Sequence, residues 1–83
     1  MSSTIRVLLF AGARERVGID SIEVAHASAP TIRALRQFLA EHHDALAPML
    51  PKVAFAVNEE YAQDHTELRP GDTVAVIPPV SGG

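Results

Sequence analysis

The pattern of apolar and polar positions predicts two strands at the start of the chain. Residues 4–10 (TIRVLLF) are rich in branched and aromatic residues, which favour a strand. Residues 20–25 (DSIEVA) alternate apolar Ile22 and Val24 with polar neighbours, which also indicates a strand. In the first strand, Ile5, Val7 and Leu9 fall on one face, and Arg6, Leu8 and Phe10 fall on the other. The intervening AGARERVG is a loop or a short turn of helix closed by Gly18. The link Ile19-Asp20 before the second strand is too short for a parallel crossover, so we expect the two strands to pair as a hairpin.

Helical spacing is clear in one segment, residues 31–43 (TIRALRQFLAEHH). Thr31 is a good N-cap, with Ser28 as the competing cap. The predicted apolar stripe consists of Ile32, Leu35, Phe38, Leu39 and His42, whereas Arg33, Arg36, Gln37 and Glu41 fall on the side facing water. Pro48 and Pro51 end the helical region.

Three further strands are predicted after the helix, at residues 52–57 (KVAFAV), 60–62 (EYA) and 73–77 (TVAVI). The last strand is apolar throughout, which is typical of a central strand covered on both sides. The turn between the first two of these strands is Asn58-Glu59. Asn tolerates a positive φ there, but Glu is unusual at the second turn position, where Gly is preferred.

The element order predicts an α+β fold of the β-grasp, ubiquitin-like type, with a mixed sheet of four to five strands covered by one main helix. A single amphipathic helix can bury one face of one sheet, and the last strand can then lie beside the first. A ferredoxin-like fold is the alternative, but it needs a second full helix, for which the two prolines leave little room. We expect residues 1–78 to form this domain and residues 79–83 to form a flexible Gly-Gly tail.

Composition narrows the class of protein. The chain has 83 residues, 47% of them hydrophobic, and a net charge of -3, so we expect one small domain and no nucleic-acid partner. It contains no Cys, which excludes a disulfide scaffold, a zinc ribbon and a thiol nucleophile. The longest apolar run near the start is too short to span a membrane, and no signal-peptide pattern surrounds it. We therefore expect a cytoplasmic protein without a membrane partner.

The body of the chain offers no legible enzyme site. The candidate metal ligands are His26, His42, His43 and His65, but no spacing brings three or four of them together, so we predict no metal site. Glu59, Glu60 and Asp64 suggest a carboxylate pair, but neighbouring residues of a hairpin point to opposite faces, which favours a solvated turn. No phosphate-binding loop is present either.

The closing IPPVSGG is the most unusual stretch of the sequence. Pro78 and Pro79 stiffen the exit from the last strand. Gly82 and Gly83 lack Cβ atoms, so an extended tail can thread a narrow channel. The Gly83 carboxylate can attack the α-phosphate of ATP in a partner's active site, which yields an acyl-adenylate open to a sulfur or nitrogen nucleophile. The alternative is a frayed end without function.

Several stretches resemble one protein family. They are VLLFAGARERVG near the start, AVN at residues 56–58, the L-x-x-G-D-x-V pattern of residues 68–74, and the closing PPVSGG. The chain is identified by them as similar to the small, sulfur-carrying subunits of molybdopterin synthase, the MoaD class of the ubiquitin-like ThiS/MoaD family. The resemblance runs nearly end to end, and PPVSGG after a G-D-x-V strand is its specific signal.

The resemblance implies a sulfur carrier that is not catalytic alone. An ATP-dependent, ubiquitin-activating-like adenylyltransferase would convert Gly83 to a glycyl adenylate, and a sulfur donor protein would convert that to a thiocarboxylate (1-thioglycine). The tail, formed by Pro79, Val80, Ser81 and Gly82, would thread the large synthase subunit. There the sulfur would build the dithiolene of molybdopterin, used in molybdenum cofactor biosynthesis, from cyclic pyranopterin monophosphate. The synthase would be a heterotetramer.

The resemblance also implies that Phe10 and Arg14 lie at or near the surface that faces the partner. No cofactor would be bound, since the ATP is used by the activating enzyme. Three alternatives remain open on the sequence: a ubiquitin-like modifier joined to lysines of other proteins, a sulfur carrier of another pathway such as thiamine synthesis, and a plain binding module with a passive tail.

Overall fold

The computed structural model describes residues 3–78 and consists of a five-stranded sheet with one main helix packed on it. The elements are β1 (Thr4–Leu9), α1 (Ala11–Val17), β2 (Ser21–Ala25), α2 (Ile32–His42), β3 (Ala54–Val57), β4 (Glu60–Ala62) and β5 (Thr73–Ile77), with short 3-10 turns at His26–Ser28 and Leu50–Lys52. The strand order is β2-β1-β5-β3-β4. The predicted α+β fold with a mixed sheet is therefore confirmed, and the predicted hairpin of β1 and β2 is antiparallel.

The first and last strands lie side by side in the middle of the sheet. β1 and β5 are parallel, with Leu9 beside Val76, whereas β3 runs antiparallel to β5, with Ala54 opposite Ile77. The carboxyl ends of β1 and β5 therefore meet at one edge of the sheet. Phe10, which follows β1, lies at the same edge as Pro78, where the described part of the chain ends.

The core lies between α2 and one face of the sheet. That face contributes Ile5, Val7, Leu9, Ile22, Val24, Phe55, Val74 and Val76, all at most 9% exposed. The helix contributes Ile32, Leu35 and Leu39, each fully buried. Its predicted N-cap is confirmed, since the Thr31 hydroxyl oxygen accepts a hydrogen bond from the Ala34 N–H at 3.1 Å.

The helical stripe is narrower than the sequence predicts. Phe38 is half-buried and packs against the core, as predicted, whereas His42 is exposed and lies outside the buried stripe. The two rings stack on each other, with centroids 4.0 Å apart. The predicted place of His42 in the stripe is wrong, because its ring stacks on the outer side of Phe38 and not on the sheet.

The sequence predicts that Arg36 faces water, but in the structure its side chain is partly buried. It donates hydrogen bonds to the backbone carbonyls of Leu50 and Val53 and to the Asp64 carboxylate, the last at 3.0 Å. Its guanidinium also lies 4.8 Å from the centroid of the Phe55 ring. The prediction was wrong because the segment after α2 folds back over the helix. The carbonyls of that segment need donors there, and helical periodicity cannot show this.

The turn between β3 and β4 has the strained residue that the sequence indicates. Asn58 has φ 49° and Glu59 has φ 73°, the two positive values that a tight two-residue hairpin turn requires. A side chain with a Cβ atom is disfavoured in this region by about 1–2 kcal/mol.

The segment after β1, for which the sequence allows either a loop or a short turn of helix, is the helix α1, which is followed by Gly18 with φ 83°.

We predict that Arg36→Ala lowers the free energy of unfolding by about 2–4 kcal/mol, because carbonyls and a carboxylate lose their donor together. Arg33→Ala is the matched control, since Arg33 is exposed on the same helix and should change stability by less than about 0.5 kcal/mol. Urea denaturation measures both. Equal effects of the two substitutions would contradict the structural role of Arg36.

We predict that Glu59→Gly raises the free energy of unfolding by about 1 kcal/mol, because Gly adopts the positive φ without steric strain. Glu60→Gly should instead destabilise the protein by about 0.5–1 kcal/mol, because residue 60 is in a strand, where Gly loses more conformational freedom on folding. Thermal and urea unfolding of the two variants should therefore shift in opposite directions. A shift in the same direction would contradict the strain assignment.

Candidate partner interface

The sheet face opposite α2 carries the candidate site. The sequence predicts that β5 is covered on both sides, and this is wrong: Thr73, Ala75 and Ile77 alternate with the buried residues and remain half-buried. The reason is that the described residues supply one long helix, which covers one face. The apolar residues that β5 turns to the other face therefore contribute to the protein surface.

Strand register gathers apolar residues into one row across this outer face. Leu8 of β1 lies beside Ala75 of β5, Ala75 lies opposite Ala56 of β3, and Ala56 lies opposite Tyr61 of β4. The row crosses four strands. Tyr61 at its end is 77% exposed.

An open groove of about 490 Å³ lies over Leu8, Ala75 and Ala56 of this row, and its other lining residues are Phe10, Asn58, Glu59 and Thr73. We call it the outer groove. Ala56 and Ala75 have small side chains, so they form its floor, whereas Phe10 is 49% exposed beside it. An exposed aromatic next to small apolar residues is typical of a surface that receives side chains from another protein.

The structure brings together only part of the predicted set of site residues. Phe10 lines the outer groove, whereas Phe55 on β3 is a core residue at 1% exposure. Arg14 is exposed on α1 and lies 3.6 Å from Asp20 in an ion pair, but it is absent from the groove lining. The predicted tail residues Pro79, Val80, Ser81, Gly82 and Gly83 lie outside the described residues.

The carboxylates weighed as an acid/base pair are not brought together in one site. Glu60 lies opposite Val57, on the face that also carries the core, and Asp64 is paired with Arg36. Glu59 lines the outer groove instead. Their separation favours the interpretation as solvated or structural carboxylates.

Two of the candidate histidines, His26 and His42, form hydrogen bonds with backbone carbonyl groups. His26 Nε2 is 2.6 Å from the Leu68 carbonyl oxygen, and His42 Nδ1 is 3.0 Å from that of Phe38. Within residues 3–78, no group of three or more His, Asp or Glu side chains could hold a metal ion. In the same part of the chain, no helix has the length and apolar character needed to cross a bilayer.

Sequence reasoning missed most of the outer groove. Phe10 and Glu59 were named as candidate site residues, but Leu8, Ala56 and Ala75 were not. The available signal was the set of outward positions in each strand, which are apolar where a solvated face normally carries polar residues. Strand order and register were needed to show that these positions are adjacent.

The fold is ubiquitin-like and one sheet face carries an exposed apolar groove, and comparisons with known proteins identify the family. A model of the ThiS family matches residues 7–83. The molybdopterin synthase sulfur carrier subunit of Escherichia coli (strain K12) is 48% identical over 81 residues, which cover 95% of this chain and 99% of that protein. The chain therefore belongs to the ThiS family, in the branch of the molybdopterin synthase sulfur carrier subunits, as the sequence indicated.

Solved structures agree with the fold. A protein–protein complex of subunits 1 and 2 of the molybdopterin-converting factor from Helicobacter pylori contains a chain that matches with a TM-score of 0.70 and 26% identity, covering 96% of this chain and 99% of that chain. Ubiquitin of Caldiarchaeum subterraneum matches with a TM-score of 0.64 and 17% identity over the full length of both chains. The second likeness concerns the fold alone, and it confirms the predicted ubiquitin-like class.

Proposed function

We propose that this chain is the sulfur carrier subunit of a molybdopterin synthase and that Gly83 carries the sulfur. One observation supports the proposal above the others. The similarity to sulfur carrier subunits spans nearly the whole chain, and the family match runs through the Gly-Gly end to Gly83. The function therefore rests on the protein's terminal carboxylate together with a body that binds partners.

The chemistry proceeds in two steps. A Gly83 carboxylate oxygen attacks the α-phosphorus of ATP in an activating enzyme, and pyrophosphate leaves. Hydrosulfide (HS⁻) delivered by a sulfur donor then attacks the acyl carbon, AMP leaves with the electron pair of the broken C–O bond, and the S–H proton passes to solvent. The product is a thiocarboxylate, which is a good nucleophile and requires no Cys in this chain.

The folded domain positions the tail against a partner. Phe10 and Pro78 lie at the same edge of the sheet, because β1 and β5 are parallel neighbours. A partner that covers the outer groove is then close to the point from which the tail departs. In the Helicobacter pylori relative, the similar chain is in complex with the second subunit of the converting factor. We infer that the large synthase subunit covers the outer groove here.

In this arrangement Pro79, Val80, Ser81 and Gly82 enter the active site of the large subunit, which supplies the acid, base and phosphate-binding groups. The thiocarboxylate sulfur is transferred there to cyclic pyranopterin monophosphate. Arg14 is exposed on α1, the helix that begins directly after Phe10, and we propose that it contacts the partner beside the groove. The assembly is a heterotetramer of two carriers on a dimer of large subunits.

We predict that the intact protein gains the mass of one sulfur and loses that of one oxygen on incubation with ATP, a molybdopterin-pathway activating enzyme and a sulfur source. The variant without Gly83 should keep its fold and gain no mass, because its terminal carboxylate is displaced by one residue. Reactions without ATP are the control. Mass gain in the truncated variant would contradict the assignment of Gly83, and adducts on protein lysines would favour a ubiquitin-like modifier.

We predict that Phe10→Ala weakens binding to the large synthase subunit by about tenfold or more, since it removes an aromatic anchor from the proposed interface. Ile19→Ala is the matched control, because Ile19 is 46% exposed, as Phe10 is at 49%, but does not line the outer groove. Calorimetric titration measures both affinities. An equal loss in the two variants would contradict docking through the groove.

A further inference from the structure

Glu59 stands out among the residues of the outer groove. It is the ionisable member of the lining set, whose other members are Leu8, Phe10, Ala56, Asn58, Thr73 and Ala75. Its side chain is exposed and forms no ion pair or side-chain hydrogen bond within residues 3–78. The fold therefore does not use this carboxylate, although it is held at the rim of an apolar surface.

Glu59 has a strained backbone conformation, although its side chain forms no ion pair or hydrogen bond that would stabilise the described fold. Its φ of 73° lies in the left-handed region, where Gly is the residue without strain. Strained backbone of this kind is concentrated at binding and catalytic sites. A residue of lower conformational cost would form the same turn.

The turn also holds Glu59 in a defined position. The neighbouring Asn58 side chain accepts a hydrogen bond from the Thr73 N–H at 3.1 Å and donates one to the Asp72 carboxylate at 3.1 Å. The Asn58 N–H donates to the Thr73 carbonyl oxygen at 2.8 Å. These three bonds tie the tip of the hairpin to the start of β5. The backbone that carries the Glu59 carboxylate is therefore preorganised beside the groove, which lowers the entropy lost on binding.

The charges near this rim favour a cationic contact. The other nearby carboxylate, Asp72, already accepts hydrogen bonds from Asn58 and from the Arg69 N–H, the latter at 2.8 Å. A partner that covers the groove removes water from Glu59, and an anion that loses water without a partner is strongly disfavoured. A Lys or Arg side chain from the partner compensates for that loss.

We propose that Glu59 is a specificity-determining residue of the docking surface, which pairs with a Lys or Arg side chain of the large synthase subunit while an apolar side chain of that subunit fills the outer groove. The proposal rests on the proposed function, since it takes that subunit as the occupant. The charge selects the correct partner, and the apolar groove supplies most of the contact.

The test compares three full-length variants in calorimetric and stopped-flow titrations with the large synthase subunit at low and high salt. Glu59→Gln removes the charge and keeps the side chain's size. We expect it to weaken binding about three- to tenfold at low salt, mainly through slower association, with a smaller loss at high salt. Glu59→Gly should weaken binding as much although its thermal unfolding temperature rises. Glu60→Gln makes the same charge change on the opposite face and should bind as the unsubstituted protein does.

The outcomes separate the two proposals. If Glu59→Gln binds within twofold of the unsubstituted protein at low salt, or if Glu60→Gln is weakened equally, the role of Glu59 is refuted while the carrier function stands. If Glu59→Gly binds more tightly than the unsubstituted protein, Glu59 has no favourable contact and the proposal fails. If the unsubstituted protein does not bind the large subunit at all, the proposed function and this inference fail together, which the mass measurement on Gly83 checks independently.

Discussion

The parallel pairing of β1 with β5 is the constraint on which the rest of the structure depends. Parallel neighbours cannot be joined by a tight turn, so every other element must fit into the connection between them. That connection contains α2, which covers one face of the pair. The same pairing brings the residue after β1, Phe10, to the edge where β5 ends. The position of the core, that of the outer groove and the point where the described chain ends are thus set by one strand contact.

A single covering helix leaves the sheet with two unlike faces. The inner face is buried against α2, and the outer face carries apolar residues that a fully solvated sheet would replace with polar ones. The small side chains of Ala56 and Ala75 line the groove on that face, and the larger side chain of Phe10 lines it beside them. A surface of this shape fits the proposed binding of a second protein, and one solved relative is in a complex of two subunits.

Arg36 and Glu59 are both unfavourable where they stand, the first as a partly buried charge and the second as a residue with a positive φ, but the reasons differ. Arg36 is a charged residue drawn into the fold, where it holds the segment after α2 through the carbonyls of Leu50 and Val53. Glu59 is a strained residue at the surface whose carboxylate has no bonding role within the described part of the chain. The first stabilises the protein, whereas the second costs stability. We therefore infer a structural role for Arg36 and a partner-recognition role for Glu59.

The sequence by itself determined the strands, the main helix with its Thr31 cap, the hairpin turn and the fold class, because periodicity and turn chemistry act between residues close along the chain. It also singled out the terminal Gly83 as the candidate reacting group. Only the tertiary structure decided that Arg36 is drawn inward and that Ala56 and Ala75 share a groove with Phe10. Those contacts join strands and loops far apart in the chain, and their register depends on how the whole sheet packs against α2.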